Sequence, residues 1–127
     1  MRKMVNFIAG SLLLLNLYGC VAVIAGAAGG TGTAAWLSGK LVQQVNAPSE
    51  SSIKAVKETL RSMNLEIYSE VKVKDVTQIR SHYTDGRKIW IDIRSVGQTT
   101  STLEVRVGAF GDKTVSAELL KQINSYL

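Results

Sequence analysis

The sequence predicts an α+β domain: a two-layer sandwich in which an antiparallel meander of four to five strands carries two amphipathic helices on one face. Two segments, one near residue 50 and one at the C-terminus, repeat apolar residues at the 3.6-residue period of a helix. Between them, four runs alternate apolar and polar residues with the period of two that strands require. Short turn sequences separate these runs, so the order β-α-β-β-β-β-α is expected.

The first residues have the three parts of a signal peptide. Two basic residues form a positive start, and an apolar stretch from Val5 to Leu17 follows. The small residue Gly19 then precedes Cys20, which is the one cysteine of the chain. We therefore expect residues 1–19 to be a leader, with an uncleaved transmembrane helix as the alternative.

The segment Leu17-Tyr18-Gly19-Cys20 resembles the lipobox of bacterial lipoproteins, which has a leucine three residues before the cysteine and a small residue directly before it. Tyr18 departs from the pattern, where a smaller residue is usual. The resemblance implies cleavage before Cys20, a diacylglyceryl group on its thiol and acylation of the new amino group. Two or more acyl chains anchor stably, since each buried CH₂ contributes about 0.8 kcal/mol. Val21 stands where an aspartate would retain an enteric lipoprotein in the inner membrane, which implies an outer-membrane anchor facing the periplasm.

Residues 20–39 are small, apolar and uncharged after the cysteine. We expect an acylated Cys20 and a flexible Gly/Ala-rich tether, because such side chains build no core. The alternative is a membrane-inserted helix over residues 21–37 with Gly26 and Gly30 as its packing face. That length is at the lower limit of the roughly 17 to 25 residues that span a bilayer. Each interior glycine also weakens a helix by about 1 kcal/mol, so the tether is favoured.

The folded domain is predicted to span residues 40–127. Leu41–Val45 is a candidate first strand. A helix is expected to begin at Ser49, as its N-cap, and to end at Asn64. Its apolar stripe consists of Ile53, Val56, Leu60 and Met63.

The four alternating runs lie between the two helices. Their apolar members are expected to face the helices and their polar members to face water. The inward set is Leu65, Ile67, Val71, Val73, Ile79, Tyr83, Ile89, Ile91, Ile93, Leu103, Val105 and Val107.

The turn at residues 84–86 determines how the second and third runs pair. A two-residue turn would place isoleucines and polar residues on the same face. A three-residue loop with Gly86 in the left-handed conformation instead sets Ile79 opposite Ile91, so we predict this bulged hairpin.

The next hairpin is predicted from charge pairing. A loop at residues 98–100 would pair Ile93 with Val105 on the inner face. The outward pairs would then be Asp92 with Arg106 and Arg94 with Glu104. Two pairs of opposite charge favour this register over the one that sets Asp92 opposite Glu104.

The C-terminal segment is predicted to be the second amphipathic helix. Asp112 is its expected N-cap, and Gly108 and Gly111 before it are interpreted as turn residues. The apolar stripe consists of Val115, Leu119, Leu120, Ile123 and Leu127.

The order of these features resembles a family of bacterial lipoproteins, domain of unknown function family 3568. The likeness consists of the lipobox cysteine, the Gly/Ala tract, the Gly-Lys-Leu start at 39–41 and the segment RVGAFGDKTVS at 106–116. The resemblance implies an envelope location and an α+β architecture, and it brings no established activity. The element order is also similar to that of the helix-grip domains of outer-membrane assembly lipoproteins, which is a likeness of fold alone.

Composition and motifs narrow the classes of function. The 15 basic and 10 acidic residues give a net charge of +5, and the basic ones are spread singly through the domain, so no nucleic-acid partner is expected. One cysteine excludes a disulfide framework or a multi-thiolate metal site. His82 is the one histidine, and we expect it on an exposed strand face. Because no catalytic or phosphate-binding motif occurs, we expect no enzymatic activity and no cofactor.

The polar face of the predicted sheet is the strongest candidate site. Its candidate interaction residues are Tyr68, Arg80, Trp90, Arg94 and Arg106. An exposed tryptophan flanked by arginines is typical of a protein-binding hot spot. The alternative is that Trp90 stacks on Arg80 across the strands, or is covered by Trp36 and the tether.

Together these features predict a non-enzymatic lipoprotein, anchored through Cys20 in the bacterial envelope, whose domain binds another envelope protein. The alternative is a lipoprotein that holds a small or lipid-like ligand between the sheet and the helices. An apolar cavity with convergent polar groups would favour the ligand hypothesis.

Overall fold

The computed structural model describes residues 23–24 and 34–127, and the predicted leader, Cys20 and most of the predicted tether lie outside them. The described residues form seven strands and two helices. In chain order these are β1 (Val23–Ile24), β2 (Ala34–Leu37), β3 (Lys40–Val45), α1 (Ser49–Ser62), β4 (Ile67–Val73), β5 (Val76–His82), β6 (Lys88–Ser95), β7 (Ser101–Val107) and α2 (Lys113–Ser125). Neither helix is both long enough and apolar enough to cross a membrane.

The strands form one antiparallel sheet in the order β1-β2-β3-β7-β6-β5-β4. Strands β4 to β7 are the predicted meander, and β3 pairs with β7, which is the last strand of that meander. Both helices lie on one face, where α1 contacts β6 and β7 while α2 contacts β3 and β7. The predicted α+β fold is therefore confirmed, with more strands than the expected four to five.

The additional strands come from a segment that the sequence analysis assigned to the tether. Residues 34–37 form β2, which joins β3 through a two-residue turn at Ser38 and Gly39. Both turn residues have positive φ, 51° and 84°, as a type I′ hairpin turn requires. Ala34 is buried and Trp36 packs against the core. These small residues have the composition of a linker, but they are paired with β3 as a strand. The folded domain therefore begins before Lys40.

The predicted core lies between the sheet and the helices. Each fully buried aliphatic side chain of this core stabilises the fold by about 1.5–3 kcal/mol relative to its exposed state. The side chains with at most 2% exposure include Leu41, Val45, Val56, Leu60, Ile79, Ile89, Ile91, Ile93, Leu103, Val105, Val107, Leu119, Leu120 and Ile123. Leu127 is an exception to the predicted stripe, because α2 ends at Ser125 and leaves Leu127 38% exposed.

Helix α1 ends as predicted but begins differently. Pro48 occupies the N-cap position without a side-chain hydrogen bond, so the expected cap, Ser49, lies inside the first turn. At the other end, Asn64 adopts φ 58°, a left-handed conformation that stops a helix.

The predicted bulged hairpin between β5 and β6 is confirmed. Ile79 pairs with Ile91, and the Tyr83 N–H donates to the Arg87 carbonyl oxygen at 2.7 Å across the loop 84–86. Gly86 has φ 87°, the left-handed value that this loop needs.

The predicted register of β6 and β7 is wrong by two residues. Ile93 pairs with Leu103, and Asp92 lies opposite Glu104, which is the register that the sequence analysis rejected. The last pair is Ser95 with Ser101, so the loop spans residues 96–100. A shift of two residues keeps every side chain on its face, and hydrophobic burial therefore does not distinguish the two registers.

The like charges of Asp92 and Glu104 are tolerated because each carboxylate binds a cation on its other neighbouring strand. Arg80 Nη1 of β5 lies 2.8 Å from Asp92 Oδ1. Lys40 Nζ of β3 lies 3.3 Å from Glu104 Oε1. The expectation of opposite charges across one strand pair was wrong here, because it considered β6 and β7 alone. The ion pairs also involve β3 and β5.

A bulge in β4 reverses the faces of its second half. The pairing with β5 shifts between Ile67 and Ser69. Val71 and Val73, which were predicted to be inward, are 47% and 51% exposed on the outer face. Glu70 lies on the helix side, where its carboxylate contacts Lys57 Nζ of α1 at 2.8 Å. One extra residue changes the side of every later residue, so the predicted alternation was wrong after this point.

The β2–β3 turn packs directly on the loop between β7 and α2. A Cβ added to Gly111 would overlap the backbone of Gly39, and Gly111 has φ 77°. A Cβ on Gly39 would approach the Phe110 carbonyl oxygen to 3.2 Å. The two segments 39–41 and 106–116, which carried the family resemblance, meet at this contact.

Gly111→Ala is expected to destabilise the protein far more than Gly86→Ala. Both positions have positive φ, which costs a residue with a Cβ about 1–2 kcal/mol, but a Cβ at Gly86 has no atom within 4 Å. Overlap with Gly39 should raise the loss at Gly111 to about 3 kcal/mol or more. Urea denaturation of the two variants measures the difference, and equal losses would show that the contact between the two loops is unimportant.

Candidate interaction face

The outer face of the sheet, opposite the helices, carries the candidate interaction residues in register. Arg80 on β5 pairs with Trp90 on β6, and Trp90 pairs with Arg106 on β7. Residues paired across neighbouring strands have Cβ atoms about 5 Å apart. A row of three side chains, with a tryptophan between two arginines, therefore crosses β5, β6 and β7.

The next row contains the two carboxylates. Asp92 and Glu104 lie side by side and bind Arg80 and Lys40, respectively. The side chains of Arg80 and Glu104 are each 19% exposed, and that of Asp92 is 28% exposed. Partial burial and pairing on both sides hold these charges in fixed orientations, which a partner can recognise without ordering them.

Trp90 is half-buried and stacks with Arg106. The guanidinium carbon of Arg106 lies 5.3 Å from the centroid of the indole ring, within the range of a cation–π contact. The sequence analysis considered Arg80 as this partner, but its guanidinium binds Asp92 instead. Trp36 cannot cover Trp90, because it pairs with the inward-facing Leu41 and packs against the core.

Arg106 makes a second contact at the end of its strand. Its Nη2 donates to the carbonyl oxygen of Ala109, in the loop that leads to α2. Its Nε is buried and has no hydrogen-bond partner among the described residues. Arg106 therefore joins the outer face to this loop and retains one unused donor beside Trp90.

These side chains line a hollow of about 180 Å³ on the outer face. Small-molecule sites usually enclose about 300–1,000 Å³. The hollow is therefore of a size for one side chain of a partner rather than for a metabolite. Its lining residues are Lys40, Arg80, Trp90, Asp92, Glu104 and Arg106.

Two of the five candidate residues flank the hollow rather than line it. Tyr68 is 49% exposed on the edge strand and stacks on His82 with ring centroids 4.6 Å apart. His82 pairs with Lys88 and is exposed on the outer face of the sheet. Its expected place on an exposed strand face is therefore confirmed. Arg94 is exposed further along β6, opposite Thr102.

Three residues that line the hollow are absent from the five predicted candidates, namely Lys40, Asp92 and Glu104. Lys40 could have been found from β3, where the alternation of KLVQQV places Lys40 and Val42 outward once Leu41 is buried. Glu104 joins the hollow because the observed register places it beside Asp92. The error in that register also concealed the row in which Trp90 pairs with Arg106.

A separate ionic cluster fixes the start of α2. Asp112 is the predicted N-cap, and its Oδ1 accepts the Val115 N–H at 3.0 Å. Arg87 Nη1 lies 2.8 Å from Asp112 Oδ2, and Arg87 Nε lies 2.7 Å from Asp85 Oδ2. The Val115 N–H, followed by Arg87, lowers the pKa of Asp112 below its ordinary value. The expected capping role of Asp112 is thus confirmed.

Comparison with known families gives one match. A family model described as a protein of unknown function (DUF3568) matches residues 3–126 of this chain. A search among curated proteins gives no match. The matched range includes the predicted leader except its first two residues, and every described helix and strand.

Asp112→Asn is expected to lower stability at neutral pH and to have a smaller effect in acid. Because the pKa of Asp112 is lowered in the folded state, its carboxylate stabilises the fold fully above its ordinary value of 3.8. That contribution is lost as the pH falls through the lower folded-state pKa. Urea midpoints of the native protein and the variant should therefore differ most at neutral pH and converge in acid. A difference that stays constant with pH would contradict the role of the charge.

Proposed function

The chain belongs to the DUF3568 family of proteins of unknown function, and from this premise we propose that it is a membrane-anchored lipoprotein of the bacterial envelope. Its domain acts without catalysis, by binding another envelope protein with the outer face of the sheet. The observation that carries the proposal is the row on the outer face in which Trp90 lies between Arg80 and Arg106.

The anchor is supported by the N-terminal sequence. A positive start, an apolar stretch and a small residue directly before Cys20 resemble a lipoprotein leader and its lipobox. Acyl chains on Cys20 would hold the protein permanently on the membrane. Val21 supports an outer-membrane location with the domain in the periplasm.

The binding face is supported by its chemistry. Trp and Arg are enriched among the few residues that carry most of the energy of protein interfaces, and they act best near the centre of a patch that excludes water. Trp90 has these surroundings, with ion pairs on one side and Arg106 stacked on its ring. A partner side chain that enters the hollow would meet the guanidinium of Arg106 and the indole ring of Trp90, because both residues line it.

Packing on the other face favours this proposal over a ligand between the layers. The inward isoleucines of β6 are fully buried against the helices, as are Leu60 of α1 and Leu119 of α2. A ligand in that layer would have to displace core side chains at a cost of about 1–3 kcal/mol for each overpacked position. The outer face requires no such rearrangement.

A photo-crosslinking residue tests the binding face in living cells. Placed at Arg94, on the outer face, it should give a discrete adduct with one envelope protein. Lys121 of α2 is the matched control, because it is also an exposed basic residue but lies on a helix. In the Trp90→Ala background, the loss of a hot spot worth about 2 kcal/mol should weaken binding roughly 30-fold and remove the adduct.

Equal adducts from positions 94 and 121, or an adduct that persists without the Trp90 side chain, would contradict the proposed face. The urea midpoint of Trp90→Ala serves as the control for folding.

Cys20→Ser tests the anchor. The variant should keep its leader and lose the acyl mass, since the thiol that receives the lipid is gone. Globomycin, which inhibits the lipoprotein leader peptidase, should make the native chain accumulate with its leader uncleaved. Mass spectrometry of the envelope fraction measures both, and normal processing of Cys20→Ser would show that the chain is not a lipoprotein.

A further inference from the structure

The loop between β7 and α2 exposes an aromatic side chain almost completely. Phe110 is 95% exposed, whereas the other exposed large apolar side chains of the described residues range from 38% to 54%. A phenylalanine in water forfeits the free energy that its burial would supply. Phenylalanine is one of the side chains with which proteins enter a lipid interface, so this exposure makes Phe110 a candidate for such a contact.

The loop that carries Phe110 is held firmly on both sides. The Gly108 N–H donates to the Lys88 carbonyl oxygen at 2.8 Å, and the Asp112 N–H donates to the Val107 carbonyl oxygen at 2.8 Å. Gly111 is in backbone contact with Gly39. The exposure of Phe110 is therefore imposed by a fixed loop.

Other side chains at the same end of the sheet suit a lipid–water interface. The contact with Gly39 brings the β2–β3 turn beside this loop. Leu37, the last residue of β2 before that turn, is 46% exposed. Lys88 and Lys113 are also exposed there. Apolar side chains mixed with lysines are typical of protein surfaces that enter the headgroup region.

Two acidic residues beside this loop do not oppose such a contact. Asp85 and Asp112 both bind Arg87, with N···O distances of 2.7 and 2.8 Å. Each carboxylate is therefore paired with a cation, and together with Lys88 and Lys113 these five side chains carry a net charge of +1, which suits anionic lipid headgroups.

The first residue of β1 is the one nearer to this end of the sheet. Val23 pairs with Ala35 and Ile24 with Ala34, so in this antiparallel pair Val23 lies closer than Ile24 to the level of Leu37. Cys20 precedes Val23 by three residues. Three residues span at most about 10 Å, so a short length of chain ties an acyl anchor on Cys20 to Val23.

We propose that this end of the domain, here called the membrane tip and formed by Leu37, Lys88, Phe110 and Lys113, inserts into the phospholipid surface that holds the anchor. The proposal rests on the lipidation of Cys20 proposed above. The strands then rise from the bilayer with the tip at their base. The face around Trp90 points sideways, parallel to the membrane, towards other membrane-associated proteins.

A fluorescent label at Lys113→Cys tests the insertion while Phe110 is kept. In the lipidated protein the thiol of Cys20 is consumed, so the introduced cysteine is the one site that reacts with an environment-sensitive dye. The labelled lipoprotein is reconstituted in phosphatidylethanolamine and phosphatidylglycerol vesicles, with and without nitroxide-bearing lipids. Val96→Cys is the matched control, because Val96 is 54% exposed in the β6–β7 loop at the opposite end of the sheet.

The dye at position 113 should lose roughly half of its fluorescence to the nitroxide lipids, because interfacial groups lie about 5–10 Å deep in the headgroup region. The dye at position 96 should be unaffected. Adding Phe110→Ser should reduce the quenching at position 113 while the anchor keeps the protein on the vesicle.

No quenching at position 113, equal quenching at both positions, or quenching that is unchanged by Phe110→Ser would each overturn the membrane tip. A dye at position 113 that is shielded from water but not quenched by lipid would assign the tip to a protein contact and overturn it as well. The mass of the mature chain separates the two proposals. Absence of acyl mass overturns the lipoprotein assignment and the tip together, whereas a lipidated chain with a water-exposed tip overturns the tip alone.

Discussion

Burial of one face of the sheet under two helices is the constraint on which the rest of the molecule depends. Ile89, Ile91 and Ile93 are completely buried on that face. A slip of β6 by one residue would turn all three to water, at a cost of about 1.5–3 kcal/mol for each side chain. Trp90 and Asp92 must therefore point outward. The outer face is thus determined by the inner one, and its chemistry depends on which outward residues the register brings together.

The sequence was sufficient where burial or backbone conformation decides the structure, as at Ile79 and Gly86, and at Asp112. It was insufficient where the competing arrangements bury the same residues. The two registers of β6 and β7 bury the same side chains, and the observed one is compatible with Asp92 opposite Glu104 because β3 and β5 supply the compensating cations. Pairwise charge rules do not include strands whose positions are themselves unknown.

Two further differences between the predicted and the observed structure have local causes. The bulge near Ser69 reverses Val71 and Val73, and a regular alternation of apolar residues gives no signal of it. Residues 34–37 were assigned to the tether because their composition resembles a linker, whereas pairing with β3 makes them a strand. The candidate face survived these errors because its five residues lie on the outer side in either register. The hollow was not predicted, since Glu104 lies beside Asp92 only in the observed pairing.

The two proposed surfaces meet at Arg106. Its guanidinium stacks on Trp90 in the interaction face and also donates to Ala109, next to Phe110 in the membrane tip. Hydroxyl-radical footprinting in intact cells, compared with the purified lipoprotein, tests most directly whether the face around Trp90 binds a partner. We predict that Trp90 oxidises several-fold more slowly in cells, while Tyr126, which is 47% exposed near the C-terminus, oxidises equally in both. Equal oxidation of Trp90 in cells and in the purified protein would contradict a protein partner on this face.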